Sequence, residues 1–303
     1  MSAIEKDIVD LITGRGPSTG AEIRDALGGD SLELWRACRS SSSLSMKTLG
    51  RRYLRLDRQV DGYARLSPSI LREFLTYSVT ALAGDLESLD RRVIEIESRI
   101  RDISRAKLSL ARSFVATVTS QIEASWPEHP VCFILAGDIV FDMAHDVPRP
   151  ERSTGKLVNG SDIDLVVVAD DRVPEAFLKS LDDAIYREKY RTLITPSIKE
   201  EIDYIVKRMA RVREQLAFDT FKRMVACKIL VEGVLLSGSE PAFRAIKAML
   251  TDGGIVARLE ALEASARALR SQAEDYLLHG VTGRIDRKDL VLFYSVEESE
   301  EFE

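Results

Sequence analysis

The chain reads as α+β. Long stretches carry apolar residues at three- and four-residue spacing, a few short β-branched runs stand among them, and Gly/Pro/Asp clusters separate the two kinds of segment. Four segments are expected. Residues 1–67 form a small helical unit with a hairpin and residues 68–126 a long coiled-coil-like helix. Residues 127–252 form an α/β unit with a small mixed sheet, and residues 253–303 a C-terminal helix with an acidic tail.

The first unit opens with Ile4, Ile8, Leu11 and Ile12 at helical spacing, followed by a Gly/Pro-rich loop and a short helix from Ala21 to Leu27. Asp30-Ser31 offers an N-cap for a third helix, Leu32 to Arg39. Two strand-like runs, Arg52 to Leu56 and Tyr63 to Leu66, flank an Asp61-Gly62 turn. Arg36, Arg39, Lys47, Arg51, Arg52, Arg55, Arg58 and Arg65 crowd this part, and only Asp57 and Asp61 oppose them. Three helices and a hairpin resemble a winged helix-turn-helix. That resemblance implies nucleic-acid contact through Arg36, Arg39, Arg51, Arg52 and Arg55. The competing reading is a protein-binding winged helix with a solvated basic face.

After Pro68, a helix is expected from Ser69 to Trp126, with Gly84 its only breaker. Leu82, Leu86, Leu89, Val93, Ile96, Ile100 and Ile103 follow alternating steps of four and three, Lys107 interrupts, and Leu110 and Phe114 resume. Such a stripe is a coiled-coil seam, paired with a second copy in a homodimer or with the helix expected over Ile255 to Leu278.

From Val131 the pattern alternates. Strands are expected over Val131–Leu135, Leu165–Ala169 and Glu201–Val206, and helices over Pro174–Tyr190, Ala210–Leu230 and Pro241–Leu250. A helical turn is expected over Ile139–Ala144, an edge strand or hairpin near Val231–Leu236, and a late hairpin or docking segment over Ile285–Val296.

The most informative stretch is Gly160-Ser161-Asp162-Ile163-Asp164-Leu165, which runs into Val166-Val167-Val168. Residues two apart on a strand share a face, so Asp162 and Asp164 aim at one point, and two anions held that close favour a cation between them. Asp203, in Glu201-Ile202-Asp203-Tyr204-Ile205-Val206, is a third candidate. With the apolar run Phe133 to Ala136 ending at Gly137, these motifs resemble the polymerase-β-like nucleotidyltransferase superfamily over roughly residues 110 to 250.

The resemblance implies that Asp162, Asp164 and Asp203 hold Mg²⁺, or Mn²⁺ in its place. It further implies that Gly137, Asp138, Gly160, Ser161, Lys156 and one lysine of the Lys222/Lys228 pair, taken as Lys228, contact the nucleotide. The activity implied is transfer of NMP from an NTP to a hydroxyl, an RNA end being one acceptor. The chain departs from the family at the upstream turn, where Gly137-Asp138 stands in place of Gly-Ser. The alternative is therefore an inactive nucleotide-sensing, DNA-binding regulator on the same fold. The insert Val147 to Lys156, with two prolines and a glycine, is expected to be an irregular loop whose Arg149, Arg152 and Lys156 either offset Asp138 and grip phosphates or are simply solvated at the surface.

Composition narrows the class. The chain has 303 residues, 45% of them hydrophobic, and a net charge of −6, which argues against a globally basic nucleic-acid binder while leaving room for a local patch. No apolar run approaches a membrane span and no leader is recognisable, so a cytoplasmic protein without membrane contact is expected. Cys38, Cys132 and Cys227 show no metal spacing and read as buried free thiols of a reducing compartment. His129, His145 and His279 carry no ligand pattern.

Overall fold

The computed structural model describes residues 2–122, 126–151, 154–280 and 287–294. The chain divides into two units. One comprises residues 1–99 with 262–303, the other residues 100–261, so the division falls inside two helices and not at positions 67, 126 and 252. The fold is α+β, with eleven α-helices among the described residues and small sheets. Among these residues no helix is long and apolar enough to cross a membrane.

The first unit starts with α1 (Ala3–Arg15), β1 (Ser18–Thr19), α2 (Gly20–Leu27) and α3 (Ser31–Ser40). Ser2 with Glu5 and Thr19 with Glu22 form capping boxes, each satisfying two helix-start amides. Asp30 accepts from the Leu32 and Glu33 amides at 2.8 and 3.1 Å, the cap expected of it. Then come β2 (Leu44–Thr48), the hairpin β3 (Tyr53–Leu56) and β4 (Ala64–Ser67), α4 (Ile70–Thr76) and β5 (Ser78–Leu82).

The sheet order is β1-β5-β2, all antiparallel, while β3 and β4 pair only with each other. The hairpin expected to be the wing is therefore inserted between β2 and its true partner β5. The helix expected from Ser69 is likewise corrected. It stops at Thr76, because the adjacent β-branched residues Val79 and Thr80 favour strand and the segment finds strand partners on both sides, and helix resumes only after Gly84.

The long helix α5 (Leu86–Gln121) carries the heptad stripe. Leu89, Ile96, Ile100 and Phe114 are buried within the chain, and Phe114 sits in the core of the second unit with Ile103 and Leu110 against it. These positions are filled by the chain's own packing, while Leu86 is exposed.

The second unit continues with β6 (Val131–Ala136), the short ribbon β7 (Pro148–Pro150) and β8 (Leu157–Asn159), β9 (Ile163–Ala169), α6 (Glu175–Ile194) and β10 (Ile202–Arg208). It then has α7 (Met209–Gln215), α8 (Phe221–Glu232), β11 (Val234–Gly238), α9 (Glu240–Asp252) and the start of α10 (Ile255–Asp275). The single helix expected over Ala210–Leu230 is two helices, broken at 216–220. The chain closes in the first unit with the end of α10, a wide turn over Tyr276–Gly280 and α11 (Arg287–Phe293). Phe293 docks in that unit's core beside Trp35, with ring centroids 5.7 Å apart. The acidic tail lies outside the described residues.

The four-stranded sheet runs β10-β9-β6-β11 and is mixed. β9 and β10 are parallel and joined through α6, and the other two pairings are antiparallel. One face is apolar: Phe133 and Leu135 of β6, Ile163, Leu165 and Val167 of β9, and Ile202 of β10 share a core with α5 and α6. Strand periodicity sends the intervening residues, Asp162, Asp164 and Asp203 among them, to the other face. There α8 and α9 lie against β6 and α7 against β10. All three cysteines are buried and free, and burial pushes the thiols up to about 12, 12 and 11 at Cys38, Cys132 and Cys227, too high for reactivity.

Candidate metal centre

Asp164 and Asp203 face each other in register on the parallel neighbours β9 and β10. Adjacent strands are about 4.8 Å apart, so side chains on one face at the same register point are held together by the backbone ladder alone. Asp162 precedes β9 by one residue and joins from the same face. One carboxylate oxygen from each of the three lies within 4.8 Å of the others, with Asp162 and Asp164 half-buried and Asp203 exposed. The apolar residues between them, Ile163, Leu165 and Ile202, are fixed in the core on the other side and set the direction of all three. Asp162 keeps 40% of its side chain in solvent, so the cluster is open.

Ala136 of β6 pairs with Asp164 on the other side, and the strand ends at Gly137. That glycine has φ +75°, and a Cβ there would stand 2.1 Å from Asp164 Oδ2. Two constraints, left-handed backbone and a carboxylate where a side chain would be, exclude other residues. The turn that follows holds Asp138, whose Oδ2 accepts from the Ser161 hydroxyl at 2.7 Å. Ser161 Oγ in turn accepts from the His145 amide at 3.2 Å, and the Ser161 amide donates to the His145 carbonyl at 3.0 Å. Gly160, at φ +63°, leaves 2.0 Å between a built Cβ and that same carbonyl. Ser161 is thus buried and hydrogen-bonded within the protein. Its hydroxyl and Asp138 staple the turn before Asp162 to the turn after β6.

The insert after His145 is ordered where described. β7 and β8 pair in a two-stranded ribbon in which Pro148 and Pro150 flank Arg149, proline being tolerated at such an edge. Arg149 points inward, with 11% of its side chain exposed. Its Nε donates to the Gly160 carbonyl at 2.8 Å, Nη1 lies 2.8 Å from Glu201 Oε2, and Nη2 lies 3.7 Å from Asp162 Oδ2. One guanidinium fork therefore joins the residues leading into both metal-side strands.

Lys107, which interrupts the heptad stripe, does parallel work. It is buried, donates to the Asn159 carbonyl at 2.6 Å and pairs with Glu200. Arg152 lies outside the described residues. Lys156 turns away to Tyr190, with Nζ 5.9 Å from the ring centroid.

The charge balance is strongly negative. Burial pushes the Asp164 carboxyl well above the usual carboxylate range, and the charges of Asp162, Asp138, Asp203 and Glu232 push it the same way. Asp164 keeps some surface, but protein atoms surround its carboxyl group on nearly all sides.

Glu232, absent from the sequence reading, arrives at the end of α8. Its own carboxyl is pushed up by burial, and Lys228 at 2.7 Å and a hydrogen bond from the Gly137 backbone oppose that rise. Lys228 is thus committed to Glu232, while Lys222 is exposed. Lys247 fixes this corner by donating to the carbonyls of Leu230, Val231 and Gly233 at 2.8, 2.6 and 2.6 Å.

Hard oxygen donors, an open side and an excess of negative charge suit a small divalent cation. Asp162, Asp164 and Asp203 could hold one, and among the described residues they form the one such group of acidic, histidine or cysteine side chains. No protein family, no curated protein and no solved structure matches this chain.

The five arginines singled out for nucleic acid lie in the other unit and are not brought together as a free set. Arg36 donates through Nε to the Leu277 carbonyl at 2.6 Å and pairs with Glu33. Arg52 pairs with Glu73 at 2.6 Å and with Glu274 at 2.8 Å. Arg39 and Arg51 are exposed and Arg55 is half-buried. The helix expected over Ile255 to Leu278 supplies these partners through Glu274 and Leu277, but nothing in the local pattern marked them as partners of Arg36 and Arg52.

Proposed function

We propose that the second unit is a divalent-metal-dependent nucleotidyltransferase domain that moves NMP from an NTP to a hydroxyl acceptor. The supporting observation is the register match of Asp164 with Asp203 on parallel neighbours, with Asp162 converging on the same point from the open side. Mg²⁺ is the ion proposed, with Mn²⁺ able to replace it. When bound, such ions clamp a triphosphate and stabilise the attacking and the leaving oxygen of an in-line displacement.

The chain's own groups have distinct parts in this reading. Asp162 and Asp164 face the triphosphate side. Asp203, the exposed member, faces the acceptor hydroxyl, whose oxygen bonds to the α-phosphorus as pyrophosphate leaves and its proton is lost to solvent. Gly137 leaves the space that Asp164 needs. Arg149 and the Asp138–Ser161 hydrogen bond hold the Asp162 turn, a positioning role. Asp138 is spent on Ser161, so an aspartate at the upstream turn is compatible with activity.

The test is incubation with labelled NTPs, Mg²⁺ and a panel of RNA, small-molecule and protein acceptors. Label should transfer, and the double change Asp162→Ala, Asp164→Ala should lower transfer by roughly three orders of magnitude or more while leaving the circular dichroism spectrum unchanged. Transfer that survives this change ends the proposal. Tight NTP binding without transfer to any acceptor would make the protein a nucleotide sensor.

A further inference from the structure

Lys107 stands where the apolar stripe of α5 calls for another leucine or isoleucine. Ile103 precedes it and Leu110 follows, both packed on the core of the second unit. Lys107 exposes only 3% of its surface. An ion pair taken out of water is often no more stable than well-packed apolar side chains of the same volume. Stability alone therefore gives little reason for a lysine here, and the reason is sought in what it holds.

It holds the entries to both metal-side strands. Its ammonium donates to the Asn159 carbonyl at 2.6 Å and pairs with Glu200. Asn159 stands three residues before Asp162, and Glu200 three residues before Asp203. Arg149 repeats the pattern one residue on. It donates to the Gly160 carbonyl at 2.8 Å and lies 2.8 Å from Glu201. Two cations, one from α5 and one from the β7–β8 ribbon, thus bridge the same pair of strand entries at consecutive positions. Backbone bonds accompany the bridges. The Asn159 amide donates to the Lys199 carbonyl at 3.0 Å, and the Ile163 amide to the Glu201 carbonyl at 2.9 Å. α5 reaches the Asp162 turn by a second route as well. One turn before Lys107, Ser104 Oγ accepts from the Ala144 amide at 3.1 Å, and the next residue, His145, is the one bonded to Ser161.

The bridges bear on the spacing of the aspartates. The ladder between β9 and β10 begins at Ile163 and Ile202, so it fixes Asp164 against Asp203 but leaves Asp162 outside. Asp162 depends on the entry segments that Lys107 and Arg149 tie together. Divalent ions that suit carboxylates differ in size. Mg²⁺ takes oxygens at about 2.0–2.1 Å in a strict octahedron, and Ca²⁺ at about 2.3–2.6 Å in a looser shell. Carboxylates that cannot spread favour the smaller ion.

We infer that Lys107, together with Arg149, sets the spread of the three aspartates and so selects a small divalent ion against a large one. Lys107 is a positioning residue, which acts from α5 and touches neither ion nor substrate. This rests on the reading that Asp162, Asp164 and Asp203 hold a divalent ion, and not on the transfer of a nucleotide.

The test is Mn²⁺ binding to the full chain, read by electron paramagnetic resonance with Ca²⁺ as competitor, so that both affinities are obtained together. The wild type should bind Mn²⁺ and prefer it to Ca²⁺. Lys107→Met should lower Mn²⁺ affinity by roughly tenfold or more and Ca²⁺ affinity by less, so the preference shrinks. A general loss of fold would lower both alike. Lys107→Met leaves Glu200 without its cation. The double change Lys107→Met, Glu200→Gln removes both charges and should regain most of the wild-type resistance to urea. It still lacks the tie to Asn159 and should keep the reduced preference.

A preference that stays at the wild-type value in both variants overturns the inference. So does a preference that returns with stability in the double variant, since the buried pair would then serve the fold alone. A wild type that binds neither ion removes the metal centre itself, and the inference with it. Ion selection that depends on Lys107 in a protein that transfers no NMP keeps the inference and removes only the transferase reading.

Discussion

Asp203 and Lys207 project from the same face of β10, four residues apart, and their surroundings are opposite. Asp203 stands with Asp162 and Asp164 at an open end where like charges are left facing one another. Lys207 is buried against α7, where its ammonium donates to Gln215 Oε1 at 2.9 Å, a neutral acceptor. Burial lowers the Lys207 pKa to about 8. About 13 Å of strand separates the two positions, beyond a Debye length at physiological salt, so neither neutralises the other. One strand thus carries two unpaired charges handled in two ways. The buried one holds its proton less tightly than an exposed lysine would, and the open ones face solvent and can exchange a cation with it. The difference lies in cover: α7 closes over Lys207, and among the described residues no helix lies over Asp203.

The largest effect on this contrast should come from Arg149. Arg149→Ala removes the cation beside Glu201 and Asp162 and the donor to the Gly160 carbonyl, at a cost of about 3 kcal/mol in urea denaturation. Mn²⁺ affinity, read by electron paramagnetic resonance, should fall as the Asp162 turn loosens. Arg149→Lys should restore stability better than metal affinity, because an ammonium cannot span three acceptors in a plane. Equal metal affinity in wild type and Arg149→Ala would remove its positioning role.

Gly137→Ala should come next, at about 1–2 kcal/mol from the left-handed backbone alone, with further loss of Mn²⁺ affinity as Asp164 is displaced. A crystal structure of the variant with Asp164 unmoved would contradict the contact.

Lys207 offers an effect of the opposite sign, a gain in stability that fades as pH rises. Its folded pKa, about 8, lies below the ordinary lysine value of 10.5, so between these pH values the unfolded chain binds more protons and stability rises with pH. Lys207→Met escapes this penalty. It should be more stable than wild type by about 1–3 kcal/mol below pH 8, with the gap closing toward pH 10.5. A gap that is flat with pH would mean Lys207 is solvated in the native state.

How much was legible follows from the range of each interaction. The Asp162/Asp164 pair, the strand it enters and the strand of Asp203 rest on two-residue periodicity, which depends only on the backbone. The N-cap at Asp30 rests on its own neighbours and was equally readable. By contrast, Ser78–Leu82 was lost in a helical reading, because its partners in β1 and β2 lie thirty or more residues upstream. Arg149 looked like a solvated loop arginine, and only the β7–β8 ribbon turns it toward Gly160 and Glu201. Glu232 and Lys247 gave no signal because α8 and α9 bring them in from outside any local pattern. The heptad stripe lies on one helix from Leu86 onward, while Leu82 belongs to β5, and packing within the chain buries Leu89, Ile96, Ile100 and Phe114.

By itself, then, the order of residues determined which side chains share a face, as with the three acids along two strands. Those relations follow from the repeat of a single element. Tertiary packing decided which faces meet, which charges are closed off and which stay wet, because these depend on contacts between segments far apart in the chain and on how much water each contact excludes.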